Sequence, residues 1–501
     1  MSTHFVFMSY FAEIPWVGRV ARELRSRGIQ SELWIVDPTE RAVAEAQQAF
    51  DRIVDLRGGF RRTGEGVPAQ LDIEALRAAR QLEDELGLGP FLHREAGVDR
   101  VLTGTNWLEL PPLGLAHRWT WEEVCRLSVA MASTVRERLR SGRPLAVVGE
   151  ASMFSARLVA RVTEAEGVPF LSPMNVPYLP GRIQFGDGLE GQWDECVDAF
   201  RALAGEPVPE EAARHARETL ASIRTGSTLT IPRESVADYL SSPQARFSPR
   251  RVTNLAADWK AARTPDAISS PHNTYPDLLK PAARLARKAR RRLLRDAFDR
   301  EAGSDLPDVP FAAYFIHAQP EMTVEGWAHE FQDQVAVIRN IAASLPADLP
   351  LVVKEHRIQA GWRDPSFYKE LHSVPGVIVV SDAIPSSQVV RRAEMVLTLT
   401  GTISLEAMCL GVPAVLFGSV YYERFPGVQR ATSYEHLREL VAARADFVPA
   451  TDEECLRALA ARYVASREGG WMSGGRWEAD ERVTVQTLID EAAARAIAQP
   501  A

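Results

Sequence analysis

Between about residues 311 and 417, short apolar runs and amphipathic stretches alternate with almost no spare chain. The segments "FAAYFIH", "LPLVVKEH", "GVIVVSD", "EMVLTLT" and "PAVLFG" read as strands. Between them, "HEFQDQVAVIRNIAASL", "PSFYKELHSV", "SSQVVRRA" and "TISLEAMCLG" carry apolar residues at helical spacing. Strands that are apolar on both faces and joined by helices pair in parallel through right-handed crossovers, which gives a doubly wound open sheet. Ligands bind such sheets in the crevice beyond the carboxyl ends of the strands. The search for function therefore starts at those ends.

The amino-terminal half repeats the pattern less densely. "HFVFMSY" reads as a strand, "GRVARELRSRG" as a helix closed by Gly28, and "SELWIVD" as a second strand. Further on, "PLAVVGE" is a strand with a Gly-Glu tip, followed by the helical "SARLVARVTEAEG". From about 191 the strand signal stops, and helical patterns alternate with Pro/Ser-rich breaks. The expected organisation is an α/β domain over 1–190 and a mainly helical insert or connector over 191–305. A second α/β domain would span 306–465, and a C-terminal helix over 466–501 would pack back on the first domain. A chain of 501 residues is long enough for two such cores.

Composition narrows the function classes. A net charge of −8 argues against a general nucleic-acid binder. The basic stretch 284–295 reads first as a solvated helix with an apolar stripe, with a polyanion or membrane surface as the alternative. Cys125, Cys196, Cys409 and Cys455 lie far apart, so a disulfide framework or structural zinc is not expected. No stretch approaches the roughly 18 apolar residues that span a bilayer. The expectation is a cytoplasmic protein, with peripheral contact to the inner membrane face or to assembly machinery as its limit. There is no Walker A, no G-x-S-x-G, no H-E-x-x-H and no D-x-D. Neither a metal nor a dissociable cofactor is expected.

The polar residues of the second unit fall at strand ends. In "TLTGTISLEAMCLGVP", Thr400, Gly401 and Thr402 form a small-residue loop entering a helix, which suits a phosphate. Glu406, one turn in, could accept hydrogen bonds from a ribose diol; equally, Thr402 or Ser404 could simply cap the helix. "VVKEH" puts Lys354 and His356 on one side of an extended chain, within reach of a phosphate, and Glu355 on the other. Ser381 and Asp382 end the next strand, and Asp382 reads as a cap. In "YFIHAQPE", His317 reads as a packed core histidine; Gln319 and Glu321, beyond it, make the stronger case for a site. Glu150 and Glu13 are further acid/base candidates across the expected cleft.

These segments together resemble bacterial capsule polysaccharide biosynthesis proteins, the group containing the capsular Kdo transferases. The resemblance is specific over about Tyr314 to Val428. It is thinner over "VVGEASMFSARLVARVTEAEGVPFLSPMNVPYLPGRIQF". It implies a GT-B-like fold of two Rossmann-like domains facing across a cleft, with 1–190 on the acceptor side and 306–465 holding the nucleotide sugar. It also implies a glycosyltransferase using a nucleotide-activated sugar, CMP-Kdo in the characterised branch, and a glycan or lipid-linked acceptor. By position, Gln319 and Glu321 would belong to the family's QPE motif, Lys354, Glu355 and His356 to its K-x-H segment, and Gly401, Thr402 and Glu406 to its G-T-x-x-x-E-A segment. Arg357 stands where the family has proline, and could add a phosphate contact or change the donor. The alternatives are a nucleotide-sugar 2-epimerase or hydrolase of similar fold, or a non-catalytic assembly or export partner.

Overall fold

The computed structural model describes residues 4–9, 13–61, 72–87, 89–99, 102, 119–227, 293–296, 298–300, 302–319, 321–357, 359, 363, 365–471 and 480–498. Two parallel sheets organise them. The first contains β1 (His4–Met8), β2 (Gln30–Ile35), β3 (Arg52–Asp55), β4 (Ala146–Gly149) and β5 (Phe170–Leu171), in the order β3-β2-β1-β4-β5. Alternate residues of β1 serve opposite faces. Phe5 and Phe7 join one core cluster, and Val6 and Met8 join another. Helices cover both faces, so the strands are apolar throughout, as a buried parallel sheet requires.

A small antiparallel sheet follows, with β6 (Met174–Asn175) beside β7 (Arg182–Gln184). The second parallel sheet holds β8 (Ala312–Phe315), β9 (Leu351–Lys354), β10 (Val377–Val380), β11 (Met395–Thr398), β12 (Ala414–Leu416) and β13 (Val428–Arg430). Their order is β10-β9-β8-β11-β12-β13. Counted from its own first strand this is 3-2-1-4-5-6, the doubly wound Rossmann order. The chain is thus an α/β protein of two Rossmann-like units, the GT-B-like arrangement. Strands β3 and β13 were not anticipated. Both are short edge strands, and β13 carries exposed Gln429 and Arg430.

The connecting chain is built into these units. Helices Asp194–Ala202 and Glu210–Thr225 bury Cys196, Val197, Ala212 and Ala216 in the same cluster as Val396 of β11 and Leu459. Of the 191–305 stretch, residues 228–292, 297 and 301 lie outside the described residues, and with them 284–292 of the basic 284–295 segment. Arg295, within it, is described and pairs with Asp299 and Asp382.

After helix Asp452–Ala465, β14 (Arg467–Glu468) pairs with β7, and the Asn175 side chain both donates to and accepts from the Trp471 backbone. Helix Glu481–Ala498 then lies on the first unit. It buries Val485, Leu488 and Ala492 in the cluster of Phe5 and Phe7, and Glu481 pairs with Arg19 at 2.6 Å. Among the described residues, no helix is long and apolar enough to cross a membrane.

Candidate active site

Each sheet has a point where strand order reverses, and loops leaving the sheet there diverge to open a crevice. In the first sheet it lies between β1 and β4, where Met8 is level with Gly149. Glu13 and Glu150 follow those two strands. In the second it lies between β8 and β11. The loop leading to Glu321 follows β8, and Thr400 to Ser404 follow β11. Three carboxylates and a small-residue loop therefore come from the two reversal points.

Glu321 precedes the short helix Met322–Glu325 in extended conformation, and its side chain makes no capping hydrogen bond. A structural turn tied down by its own carboxylate would show one. The residue is exposed by surface area yet has protein mass on most sides. That enclosure is the main reason its carboxyl is raised from 4.5 to about 7, and Glu150 of the opposite unit adds to the rise. The direction follows from the geometry, and water at the open face moderates its extent. Thr323 stands close enough to oppose the shift, although its hydroxyl makes no hydrogen bond of normal geometry. Glu150 is partly buried, and Glu13 is buried and accepts from Ser9 Oγ at 3.2 Å. Glu321 and Glu150 are thus brought together, while Glu13 is turned to its own loop.

His317 is a packed histidine. Its Nε2 accepts from the backbone N–H of Leu399 (3.2 Å) and Thr400 (3.4 Å) and lies 2.8 Å from Thr398 Oγ1. An accepting Nε2 assigns the proton to Nδ1. Burial, helped by His356 and Arg363, holds the imidazole down at about 3, hence neutral. The ring ties the β8 loop to the β11 loop. Gln334 completes the tie: it accepts from the His317 N–H at 2.8 Å and donates to both the His317 carbonyl and Gln319 Oε1. Gln319 in turn donates to the Gln332 carbonyl at 2.9 Å.

Close packing here explains Gly401. A Cβ at that position would stand 2.7 Å from Thr398 Oγ1 and 3.4 Å from the His317 ring. Neither Thr402 nor Ser404 caps the helix Ile403–Cys409. Thr402, at the cap position, makes no side-chain cap bond, and Ser404 Oγ donates back to the Gly401 carbonyl at 2.9 Å. Thr400 Oγ1 donates to the Thr323 carbonyl at 2.7 Å, joining this loop to the one that carries Glu321.

The K-E-H segment is placed differently from the sequence expectation. Lys354 is buried and donates to the Ser381 and Asp382 carbonyls at 3.4 and 3.2 Å. Burial lowers its ammonium to about 8, against the pull of Asp382 and Glu355. It joins the ends of β9 and β10 here. Glu355 is buried under Arg363 Nε (2.7 Å), Tyr368 Oη (2.8 Å) and the His356 N–H (2.7 Å). His356 is lowered by burial and so leans neutral. Arg357 is exposed. Asp382, expected as a cap, instead accepts a two-pronged contact from Arg295 at 3.1 and 2.6 Å. A bidentate guanidinium outcompetes a turn N–H for a carboxylate that is almost buried.

Glu406 has a partner from the other unit. Tyr178 Oη donates to its Oε1 at 2.7 Å across 228 positions of chain. Burial raises the Glu406 carboxyl, and this hydrogen bond opposes the rise. Tyr178 holds φ of +68°, an uncommon conformation for a non-glycine residue. The buried Arg462 supports it by donating to the Pro177 carbonyl (2.9 Å) and to Tyr421 Oη (3.0 Å). Two more contacts cross between the units: Trp327 Nε1 to the Gly188 carbonyl at 3.2 Å, and Gln192 Nε2 to Ser419 Oγ at 2.7 Å. The sequence reading missed Tyr178, Arg462 and Trp327. The tyrosine and tryptophan of "PYLPG" and "VEGWAH" were its only local signals.

The fold and rim define a two-unit α/β protein whose reversal points confront one another, with a pair of carboxylates between them. Residues 324–457, within the C-terminal unit, match the family model for capsule polysaccharide biosynthesis protein. No curated protein matches the chain. Solved structures similar to it include the Thermosulfurimonas dismutans KpsC beta Kdo 2,4 transferase, with 12% identity over 64% of this chain and 80% of that one, at TM-score 0.36. They also include UDP-GlcNAc 2-epimerase from Neisseria meningitidis bound to UDP-GlcNAc, with 12% identity over 99% of this chain and 100% of that one, at TM-score 0.29.

Proposed function

We propose that the protein is a glycosyltransferase of capsular or other surface polysaccharide assembly. It would transfer a sugar from a nucleotide-activated donor to a glycan or lipid-linked acceptor. The observation that carries this reading is Glu321: a carboxylate just ahead of the stretch that matches the capsule family, without a capping bond, raised towards neutrality and within electrostatic range of Glu150. A carboxylate titrating near the working pH is suited to take a proton in the transition state. In the proposed step the acceptor hydroxyl oxygen attacks the anomeric carbon and its proton passes to Glu321. The bond from that carbon to the phosphate oxygen breaks, and its electron pair leaves with the nucleotide. Glu406 would take the ribose diol through the oxygen that Tyr178 does not use. His356 and Arg357 would serve as the phosphate contacts.

The test is a thermal-shift panel of CMP, UDP, GDP and CDP, followed by turnover with the matching sugar nucleotide. A nucleotide at 100 times its dissociation constant stabilises by about 2.7 kcal/mol, a readily measured shift. If no nucleotide shifts the protein, the reading fails. If the donor is consumed without acceptor, yielding free or epimerised sugar, transfer is replaced by hydrolysis or epimerisation.

A further inference from the structure

A cation lies buried where the two units meet. Arg157, on helix Phe154–Ala165, has 1% of its side chain exposed, and its partner Glu95 has none. A buried ion pair adds little to stability over an apolar pair of the same shape, so its geometry is the informative part. Nε and Nη2 hold the two oxygens of Glu95. The other contacts go to backbone. Nη2 also donates to the Leu189 carbonyl at 3.1 Å, and Nη1 donates to the Ala151 carbonyl at 3.5 Å. Ala151 directly follows Glu150.

The same guanidinium faces the second unit. Gly326 closes the short helix Met322–Glu325, which Glu321 precedes. A Cβ on Gly326 would stand 3.0 Å from Arg157 Nη1 and 2.9 Å from the Met322 carbonyl oxygen. Its φ of −91° is open to any residue, so close approach, not backbone conformation, excludes a side chain there. The next residue, Trp327, donates from Nε1 to the Gly188 carbonyl at 3.2 Å. Its indole also fills the place of a Cβ on Gly191, with Cδ2 at 2.7 Å. Gly188 and Leu189 are consecutive, so one turn of the first unit takes a bond from Trp327 and a bond from Arg157.

The loop carrying Glu321 and the tip carrying Glu150 are therefore both seated on Arg157. An arginine serving only its own unit would need neither the Gly326 approach nor the Ala151 contact. Its charge is taken up by Glu95, while burial, Thr323 and Glu150 set the ionisation of Glu321. Arg157 thus bears on that carboxyl through position.

We propose that Arg157 is a positioning residue, which sets the separation of Glu321 and Glu150 by holding the loop after β8 and the tip after β4 against one buried guanidinium. The geometric part stands alone; the effect on turnover rests on the transferase reading.

Arg157→Lys keeps the charge that Glu95 needs and loses the planar fork that reaches several partners at once. Carboxyl ¹³C NMR titration of the full chain reads Glu321, its signal assigned by its loss in Glu321→Gln. Expected is a midpoint near 7 in the parent and one at least about half a unit lower in Arg157→Lys, because loosening the contact admits water and separates the two carboxylates. Trp327→Phe, which removes only the Nε1 bond, should lower it by less. Arg57→Lys, at an equally buried arginine held by Asp55 beyond the edge strand β3, should leave it in place. With the matching sugar nucleotide, Arg157→Lys should lower kcat about tenfold or more and keep KM within about threefold. Arg157→Lys/Glu321→Gln should be no slower than Glu321→Gln alone, since a residue acting through Glu321 then has nothing to act on. A Glu321 midpoint unchanged in Arg157→Lys would overturn the proposal, as would a double variant slower than Glu321→Gln by the full Arg157→Lys factor. Should Arg157→Lys fail to fold, Gly326→Ala presses on the same contact from the other side and carries the same expectations. If no sugar nucleotide is turned over, the transferase reading fails, and the titration still decides for or against Arg157.

Discussion

Replacing Glu321 by glutamine keeps the size and most of the hydrogen bonding of the side chain and removes its ability to take a proton. Losing an acid/base group costs about 10²–10⁴ in rate, or about 2.7–5.5 kcal/mol of barrier. The pH profile is the sharper readout. With the carboxyl at about 7, only about a tenth of it is ionised at pH 6 and about a hundredth at pH 5. Turnover of the parent should therefore fall about tenfold per unit below pH 7 and level off above it. That limb should vanish from the residual activity of Glu321→Gln. Glu150→Gln removes a neighbouring negative charge that holds the group up. Burial is the larger cause, so the limb should move down by less than about one unit. The assay is kcat and kcat/KM against pH for the three proteins, with nucleotide affinity measured in parallel and expected within about threefold of parent. Near-parental turnover in Glu321→Gln, or an acid limb unmoved by its loss, would refute the assignment. Loss of nucleotide affinity in place of turnover would make Glu321 a donor contact.

Gly401→Ala would press a methyl group against Thr398 Oγ1 and the His317 ring, destabilising the C-terminal unit by about 1–3 kcal/mol in denaturant titration. Arg363→Met strands the buried Glu355 carboxylate and should cost about 3–5 kcal/mol, read as a lower unfolding midpoint. Tyr178→Phe frees both oxygens of Glu406, so nucleotide affinity should match or exceed the parent by calorimetry; weaker binding would show Tyr178 to be a ligand contact. His317 is held neutral when folded, while its unfolded form protonates near 6.5. Its contribution is complete above pH 6.5 and is lost as pH falls towards about 3, at up to ~1.4 kcal/mol per unit, and the His317→Asn variant should lose that slope in acid denaturation.

Residue spacing carried the second sheet because a period of two and a period near 3.6 are local properties. The five strands read around 311–417 each appear, and residues at their carboxyl ends share a rim because parallel strands share a direction. What spacing could not carry is partnership between distant positions. Lys354 and His356 lie on the same side of an extended chain in any strand, but nothing local says that the Ser381 and Asp382 carbonyls will reach Lys354 first. Asp382 looks like a cap until Arg295, 87 residues away, is folded against it. Glu406 looks like a residue with two open oxygens until Tyr178 arrives from the other unit. In each case a polar group at a strand end or helix start had a local or ligand-binding use in the sequence reading, and the fold gave it a partner from a distant stretch of chain. Burial settles the contest, because leaving a charged group unpaired inside protein costs more than giving up a turn bond. Glu321 is the exception that matters for function. It stands where a capping carboxylate would stand, makes no capping bond, and has for its nearest distant influence another carboxylate rather than a cation. A carboxylate at the reversal point of a doubly wound sheet with only Thr323 to favour its charge is poorly compensated by the fold, and such positions are where substrates supply the missing partner.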